Sequence, residues 1–309
     1  MKVSVLMITY NHERFIAQAL DSILMQRVDF DYEIVVGEDC STDATREILL
    51  EYQHKFPDRI RLLLPDKNLG MLGNFAATLN ECHGDYIALL DGDDYWTSPD
   101  KLQRQVAYLD AHPECSACFH NVLITHEGAP EKDRLFHEPP LANSFYALDE
   151  ILTSHFIPCC STFFRARLFS GFPEWYPKMP MQDWPLHILN AEHGTYGYIN
   201  EVMAAYRVHG GSVWSNRKRL EVLEKTIPAC YAIKRHLAGR CSREISRLTR
   251  NLEIEAAKIL TEQVEFRKAF QRLFAAYLLA PFSFCRIVKC FKHVVSAWMK
   301  YNASGKKAY

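Results

Sequence analysis

The 309 residues, with 48% apolar, 12% aromatic and 24% charged side chains, can build one large domain or two ordinary ones and exclude a disordered chain. No run of about 18 apolar residues suggests a membrane-spanning helix, and ten cysteines in a long chain with no signal-like start read as reduced thiols of a cytoplasmic protein. The net charge of −1 hides an asymmetry: Cys230 to Tyr309 holds 16 Lys and Arg against 5 Asp and Glu, whereas the rest holds 20 against 32, so a basic tail on an acidic body points to an anionic surface as partner.

The first third alternates strands and helices. VSVLMITY is a nearly continuous apolar run, as expected of a strand buried on both faces. Asn11 is placed to cap a helix in which Phe15, Ile16, Ala19, Leu20, Ile23 and Leu24 recur at helical spacing. YEIVVG reads as a second strand. Ser41 or Thr42 can cap the next helix, whose stripe is Ile48, Leu49, Tyr52 and Phe56. RIRLLL, NFAATLNEC and DYIALL follow as strand, helix and strand. This rhythm predicts an α/β fold, a mostly parallel sheet with helices on both faces. Residues 120–215 are richer in Pro, Gly and aromatics, and from about residue 218 the chain turns helical and basic. Two domains are expected, 1–217 and 218–309.

Ligands of such sheets bind beyond the carboxyl ends of the strands. Three polar clusters lie there: Thr9, Tyr10 and Asn11 after the first strand, EDCSTD (Glu38 to Asp43) after the second, and DGDD (Asp91, Gly92, Asp93, Asp94) after the fourth. Three carboxylates in four positions repel one another unless water screens them or a cation belongs among them. DGD is also an ordinary turn sequence. As a metal site, its oxygens suit Mg²⁺ or Mn²⁺ with positions left open for phosphate.

VSVLMITYNHERFIAQALDSILMQ, EDCSTDAT, NLGMLGNFAATLN and DYIALLDGDDYW, then MQDWPLHILN and YRVHGGSVW, together resemble the family 2 inverting glycosyltransferases, which have the GT-A fold. The resemblance covers residues 1–215 and leaves the basic tail outside. It implies a Rossmann-like GT-A domain, a nucleoside diphosphate sugar donor, a UDP-sugar being favoured, and Mn²⁺ or Mg²⁺ bridging its phosphates. It also implies inversion by a single in-line displacement. By matching positions, Asp39 would meet the nucleobase edge, with Thr9, Tyr10 and Asn11 lining that pocket and Glu38 and Asn68 beside it. Asp91 and Gly92 would lie near the ribose. Asp93 would be the main metal ligand of the DxD motif, assisted by Asp94, with His209 near the metal or diphosphate. Asp183 would be the general base. One position departs: many relatives carry an acid where Gln182 stands, and an amide can orient a partner but adds no charge. Read without the resemblance, Asp183 is an N-cap of the helix beginning WPLHIL, with Pro185 in its first turn, a role that does not exclude that of a base.

A sugar nucleotidyltransferase would carry a Gly-rich basic loop after the first strand, where TYNHERF has no glycine. A non-catalytic glycan-binding protein finds its only support in Gln182. Gly70 and Gly73 form neither a dinucleotide fingerprint nor a P-loop, and no nucleic-acid module occurs. CSAC (Cys115 to Cys118) has zinc-like spacing but no second pair, so buried thiols are expected. In the tail, Phe284, Ile287, Val288, Phe291, Val294, Val295 and Trp298 recur at helical steps with Arg286, Lys289, Lys292 and Lys300 among or beside them. That pattern suits a helix on the cytoplasmic face of a membrane; packing on the body or on another subunit is the alternative. The expected acceptor is a saccharide hydroxyl of a surface glycan, possibly lipid-linked.

Overall fold

The computed structural model describes residues 1–153, 155–211, 218–279 and 284–303. The YRVHGGSVW motif beyond Gly211 and the side chains of Phe284 and Arg286 lie outside the described residues. The chain divides into two compact units, Met1–Pro177 with Met181–Ser215, and Lys178–Pro180 with Asn216–Tyr309.

The first unit runs β1 (Val3–Thr9), α1 (Ile16–Leu24), β2 (Tyr32–Glu38), α2 (Thr45–Lys55), β3 (Ile60–Leu63), α3 (Gly70–Asn80), β4 (Tyr86–Leu89), β5 (Tyr95–Trp96) and α4 (Lys101–Ala111). It continues through β6 (Cys115–His126), β7 (Arg134–Leu135), β8 (Phe145–Tyr146), α5 (Leu148–Ile151), β9 (Phe163–Arg165), α6 (Asp183–Ala191) and β10 (Thr195–Val208). One sheet has the order β3-β2-β1-β4-β9-β6-β10-β5, with β7 on β6 and β8 on β10. β1 to β4 pair in parallel, as their rhythm predicts. Beyond β4 the sheet is mixed: β9 lies antiparallel between β4 and β6, while β6 and β10 are parallel.

All seven residues of β1 are buried, which explains their nearly continuous apolar run. Ile16, Ala19, Leu20 and Ile23 of α1 join Val3, Val5 and Met7 of β1 in the core. Cys115 and Cys118 are buried free thiols on β6. A register shift between Cys115 and Ala117 brings both thiols into one core cluster, where they pack as small apolar side chains.

The expected helix caps are not the ones used. Asn11 adopts a left-handed φ of 57° and α1 begins only at Ile16. Asn11 instead braces the neighbouring loop: its Oδ1 accepts from the Thr42 N–H at 2.8 Å, and its own N–H donates to Ser41 Oγ at 2.9 Å. Ser41 and Thr42 are therefore occupied. Asp43 serves the start of α2, its Oδ1 accepting from the Thr45 N–H at 3.0 Å and from Thr45 Oγ1 at 2.6 Å.

The second unit contains α7 (Arg219–His236), α8 (Ser242–Glu262), α9 (Phe266–Leu279) and α10 (Phe284–Ala303). Ile254, Ala257 and Leu260 of α8, Phe266, Ala269, Leu273 and Ala276 of α9, and Ile287, Cys290 and Val294 of α10 form one core cluster. Among the described residues, no helix is long and apolar enough to cross a membrane.

Candidate active site

The parallel half of the sheet brings the ends of β1, β2 and β4 together. Asp39 donates its N–H to the Thr9 carbonyl at 3.1 Å, and Gly92 donates its N–H to the Ile8 carbonyl at 3.0 Å. Thr9, Asp39 and the DGDD turn thus share one rim, as the strand-end rule predicts. A Cβ on Gly92 would lie 2.5 Å from Thr9 Oγ1 and 2.8 Å from Thr9 Cβ, so only glycine lets the turn approach β1 this closely.

Asp39 is buried. Its Oδ1 accepts from the Leu69 N–H at 2.6 Å, and its carbonyl accepts from Asn68 Nδ2 at 2.8 Å. The two residues are therefore fastened together at the head of α3. Glu38 is fully buried and its carboxylate is engaged on both sides, accepting from the Ser41 N–H and pairing with Arg46. It braces the loop below Asp39. Tyr10 is 45% exposed at the mouth of this region.

The three acids of DGDD have different partners. Asp91 Oδ1 accepts from Gln182 Nε2 at 3.0 Å. Burial, and next the charge of Asp93, push the Asp91 carboxyl up to about 7. Asp93 Oδ2 lies 3.1 Å from His209 Nε2 and 3.8 Å from His12 Nε2. Burial disfavours the Asp93 carboxylate, but the His209 hydrogen bond and the neighbouring imidazoles outweigh it and hold the group below its ordinary value. The Gly211 N–H donates to His209 Nδ1 at 3.2 Å, which turns Nε2 towards Asp93. Asp94 turns away and is buried, its Oδ1 accepting from the Arg207 N–H at 2.8 Å. Burial, then Asp93 and Asp91, push Asp94 well above the ordinary carboxylate range.

Asp183 is the first residue of α6, and its Oδ1 accepts from the Trp184 N–H at 2.8 Å. Gln182 holds the cap position and Asp183 is already inside the first turn, so the capping role expected of Asp183 is not the one it fills. The bond to Trp184 leaves its other carboxylate oxygen for a second task. Gln182, one residue earlier, links this helix to Asp91. An acid at that position would place a second carboxyl against Asp91, whereas the amide supplies a donor.

Sequence reasoning missed two supporting residues. His12 pairs with Thr9 Oγ1 at 3.1 Å and faces Asp93; burial lowers its pKa, with Asp93 opposing. Arg207 donates from Nε to the Asp93 carbonyl at 2.9 Å and stacks between Phe15 and Tyr95, 4.6 and 5.0 Å from the ring centres. The signal for Arg207 is its two-residue spacing from His209 along an extended strand, which puts both on one face.

The described residues contain no group of three or more His, Cys, Asp or Glu arranged as a metal cage. A cage is not what a phosphate-bridging cation needs. Such a cation takes one or two protein ligands and fills its shell with phosphate oxygens and water. The adjacent Asp93 carboxylate and His209 imidazole fit that requirement.

Residues 4–172 match the model of glycosyl transferase family 2. The chain belongs to this family. The uncharacterized Mycobacterium tuberculosis protein Rv1520 is 39% identical over 214 residues, 69% of this chain and 60% of that protein. This chain thus spans about 60% of that relative's length. TuaG of Bacillus subtilis, named as a teichuronic acid biosynthesis glycosyltransferase, is 29% identical over 218 residues, covering 70% of this chain and 82% of TuaG. Among solved structures, Staphylococcus aureus TarS 1–349 in complex with UDP-GlcNAc superposes with a TM-score of 0.68 at 18% identity, covering all of this chain and 93% of TarS 1–349. At that identity the likeness shows the fold, a GT-A arrangement.

Proposed function

We propose that this protein transfers a glycosyl group with inversion from a nucleoside diphosphate sugar, a UDP-sugar, to a hydroxyl of a surface glycan or lipid-linked saccharide. The observation that carries the proposal is the hydrogen bond from Gln182 to Asp91. It ties the helix that begins with Asp183 to the acidic turn at the end of β4, although the two are 91 residues apart in sequence. UDP-GlcNAc in TarS and the surface-polymer role in the name of TuaG support the donor and acceptor classes.

In this reading Asp39 and Asn68 meet the nucleobase, with Thr9, Tyr10 and Asn11 along the same wall and Glu38 beneath it. Asp91 and Gly92 adjoin the ribose. Asp93 and His209, with Asp94 behind, would hold Mn²⁺ or Mg²⁺. When bound, that cation offsets the negative charge that develops on the departing diphosphate. An acceptor hydroxyl has a very high pKa and needs its proton removed as the new bond forms. Asp183 takes that proton, an effect of about 10²–10⁴ in rate. One base opposite one leaving group gives one displacement, hence inversion. The basic helical tail, residues 218–309, brings the enzyme to the cytoplasmic face of a membrane, where a lipid-linked acceptor is held.

Asp183→Asn tests the assignment. Transfer from a panel of UDP-sugars should fall by about 10²–10⁴ while UDP affinity stays near that of the wild type. Equal loss of UDP binding and transfer would make Asp183 structural. Free UDP as product identifies sugar transfer, and pyrophosphate would identify nucleotidyl transfer instead.

A further inference from the structure

Helix α10 is apolar over a wider arc than the helical unit covers. Ile287, Cys290 and Val294 pack into the core with the partly buried Ala297 and Tyr301, a run of three- and four-residue steps. The adjoining flank stays open: Phe291 is 49%, Trp298 45% and Met299 54% exposed. Helix α9 repeats the pattern. Phe266, Ala269, Leu273 and Ala276 are buried, whereas Phe274 is 63% and Leu278 64% exposed.

The two open flanks adjoin. The start of α9 meets the end of α10 where the Phe266 and Tyr301 rings lie 5.8 Å apart, so the helices run antiparallel. The Phe270 and Phe291 rings meet at 5.4 Å. One apolar strip therefore runs from Trp298 through Phe291 and Phe270 to Phe274 and Leu278. A strip of this kind on a water-exposed surface marks an interaction site.

Its charge selects the partner. Between Phe266 and Ala303 the sequence has seven Lys and Arg and no Asp or Glu. Lys289, Lys292 and Lys300 are exposed, and none is ion-paired among the described residues. A protein interface would normally set carboxylates against some of these cations. Lys268 and Arg272 of α9 pair with Glu265 and Glu253, but the three lysines of α10 beside exposed aromatics suit a flat surface of negative headgroups over hydrocarbon, with Trp and Phe at the boundary.

We infer that the α9–α10 strip is the surface by which this protein docks on an anionic lipid bilayer, with Phe274, Leu278, Phe291 and Trp298 entering the headgroup layer and Lys289, Lys292 and Lys300 meeting lipid phosphates. This rests on the proposed membrane contact of the tail and gives that contact a face. Helix α10 does not peel off to lie alone on the membrane. Its buried third stays in the helical unit while its open flank docks.

Co-sedimentation of the full chain tests this, with phosphatidylcholine vesicles that contain or lack phosphatidylglycerol. The wild type should pellet only with phosphatidylglycerol, and less so as salt rises. The double change Phe291→Ser and Trp298→Ser, made at exposed sites, should keep the helical content and net charge yet weaken binding on the order of tenfold. Lys289→Glu with Lys292→Glu should weaken it at least as much. If the wild type pellets and the serine variant pellets equally, the strip is wrong and membrane contact lies elsewhere on the tail. If the wild type stays in the supernatant, the membrane reading falls as well. A wild-type dimer that the serine changes dissolve, without vesicle binding, would reassign the strip to self-association.

Discussion

At the ends of β1, β2 and β4, charge is buried and each group has its partner: Asp39 on Leu69, Glu38 on Arg46, Asp91 on Gln182, Asp93 on His209 and Asp94 on the Arg207 backbone. On α10 Lys289, Lys292 and Lys300, with no ion pair among the described residues, stand in water beside exposed aromatics. The difference follows from what each surface has to recognise. A buried charge is tolerated only when it is hydrogen-bonded, and those bonds fix its position to fractions of an ångström. That suits a small ligand with few atoms. Solvated lysines keep their freedom, which suits a fluid surface with no fixed charge positions.

Three changes sharpen this contrast, from the largest expected effect to the smallest. Asp93→Asn should reduce donor turnover by two orders of magnitude or more, about 3 kcal/mol at the transition state, because it removes the central charge of the turn. EDTA should do the same to the wild type. Vesicle binding should be unaffected by either. If EDTA-treated protein keeps its full rate, the cation has no part in the reaction.

Gly92→Ala should destabilise the first unit by about 1–3 kcal/mol, since the new methyl group meets Thr9 and backbone must shift to admit it. A chemical-denaturation midpoint shifted by that amount, with the helical content of the tail unchanged, is the expected result. An unchanged midpoint would mean that the turn has slack.

The smallest effect is on pH dependence. Asp91 has a raised folded-state pKa, so its contribution to stability is complete below its unfolded value of 3.8 and is lost as pH rises through about 7. Asp93 runs the other way: its contribution is present above 3.8 and lost in stronger acid. Over the same range the histidines His12, His120, His137 and His187, held below their ordinary value by burial, add stability as pH rises, so the contribution of Asp91 is read as a difference. The stability of the wild type relative to Asp91→Asn should fall as pH rises towards 7, measured by urea midpoints in EDTA. A difference that does not change with pH would mean that Asp91 is not the group that titrates.

The sequence disclosed the parallel half of the fold because each of its strands is a short apolar run ending in polar residues. It also disclosed the rim, since strand ends of a parallel sheet share one edge. The antiparallel half stayed hidden. β5, β7 and β8 have two residues each and β9 has three, too few to show a period. Helix starts were misplaced because Asn11 and Ser41 spend their hydrogen bonds on each other's loops. Gln182 read as a departure with no visible partner, and only the fold brings Asp91 to it. The tail stripe was legible as apolar, but its division into a buried and an open flank depends on how α8, α9 and α10 pack.

The place of β9 also sets an order of assembly. β3, β2, β1 and β4 can pair as soon as the first ninety or so residues are available, their contacts being local by the standard of parallel sheets. The free edge of β4 then waits for a strand in which Arg165 pairs with Tyr86, and that strand in turn pairs with β6. Closing such long loops is slow, and an uncovered edge meanwhile invites pairing with other chains. The acidic turn thus forms early, while Gln182 and Arg207 reach it only when the sheet closes. Truncation after β4 should therefore leave a sheet with an open edge, and such a fragment is expected to aggregate more readily than the full chain.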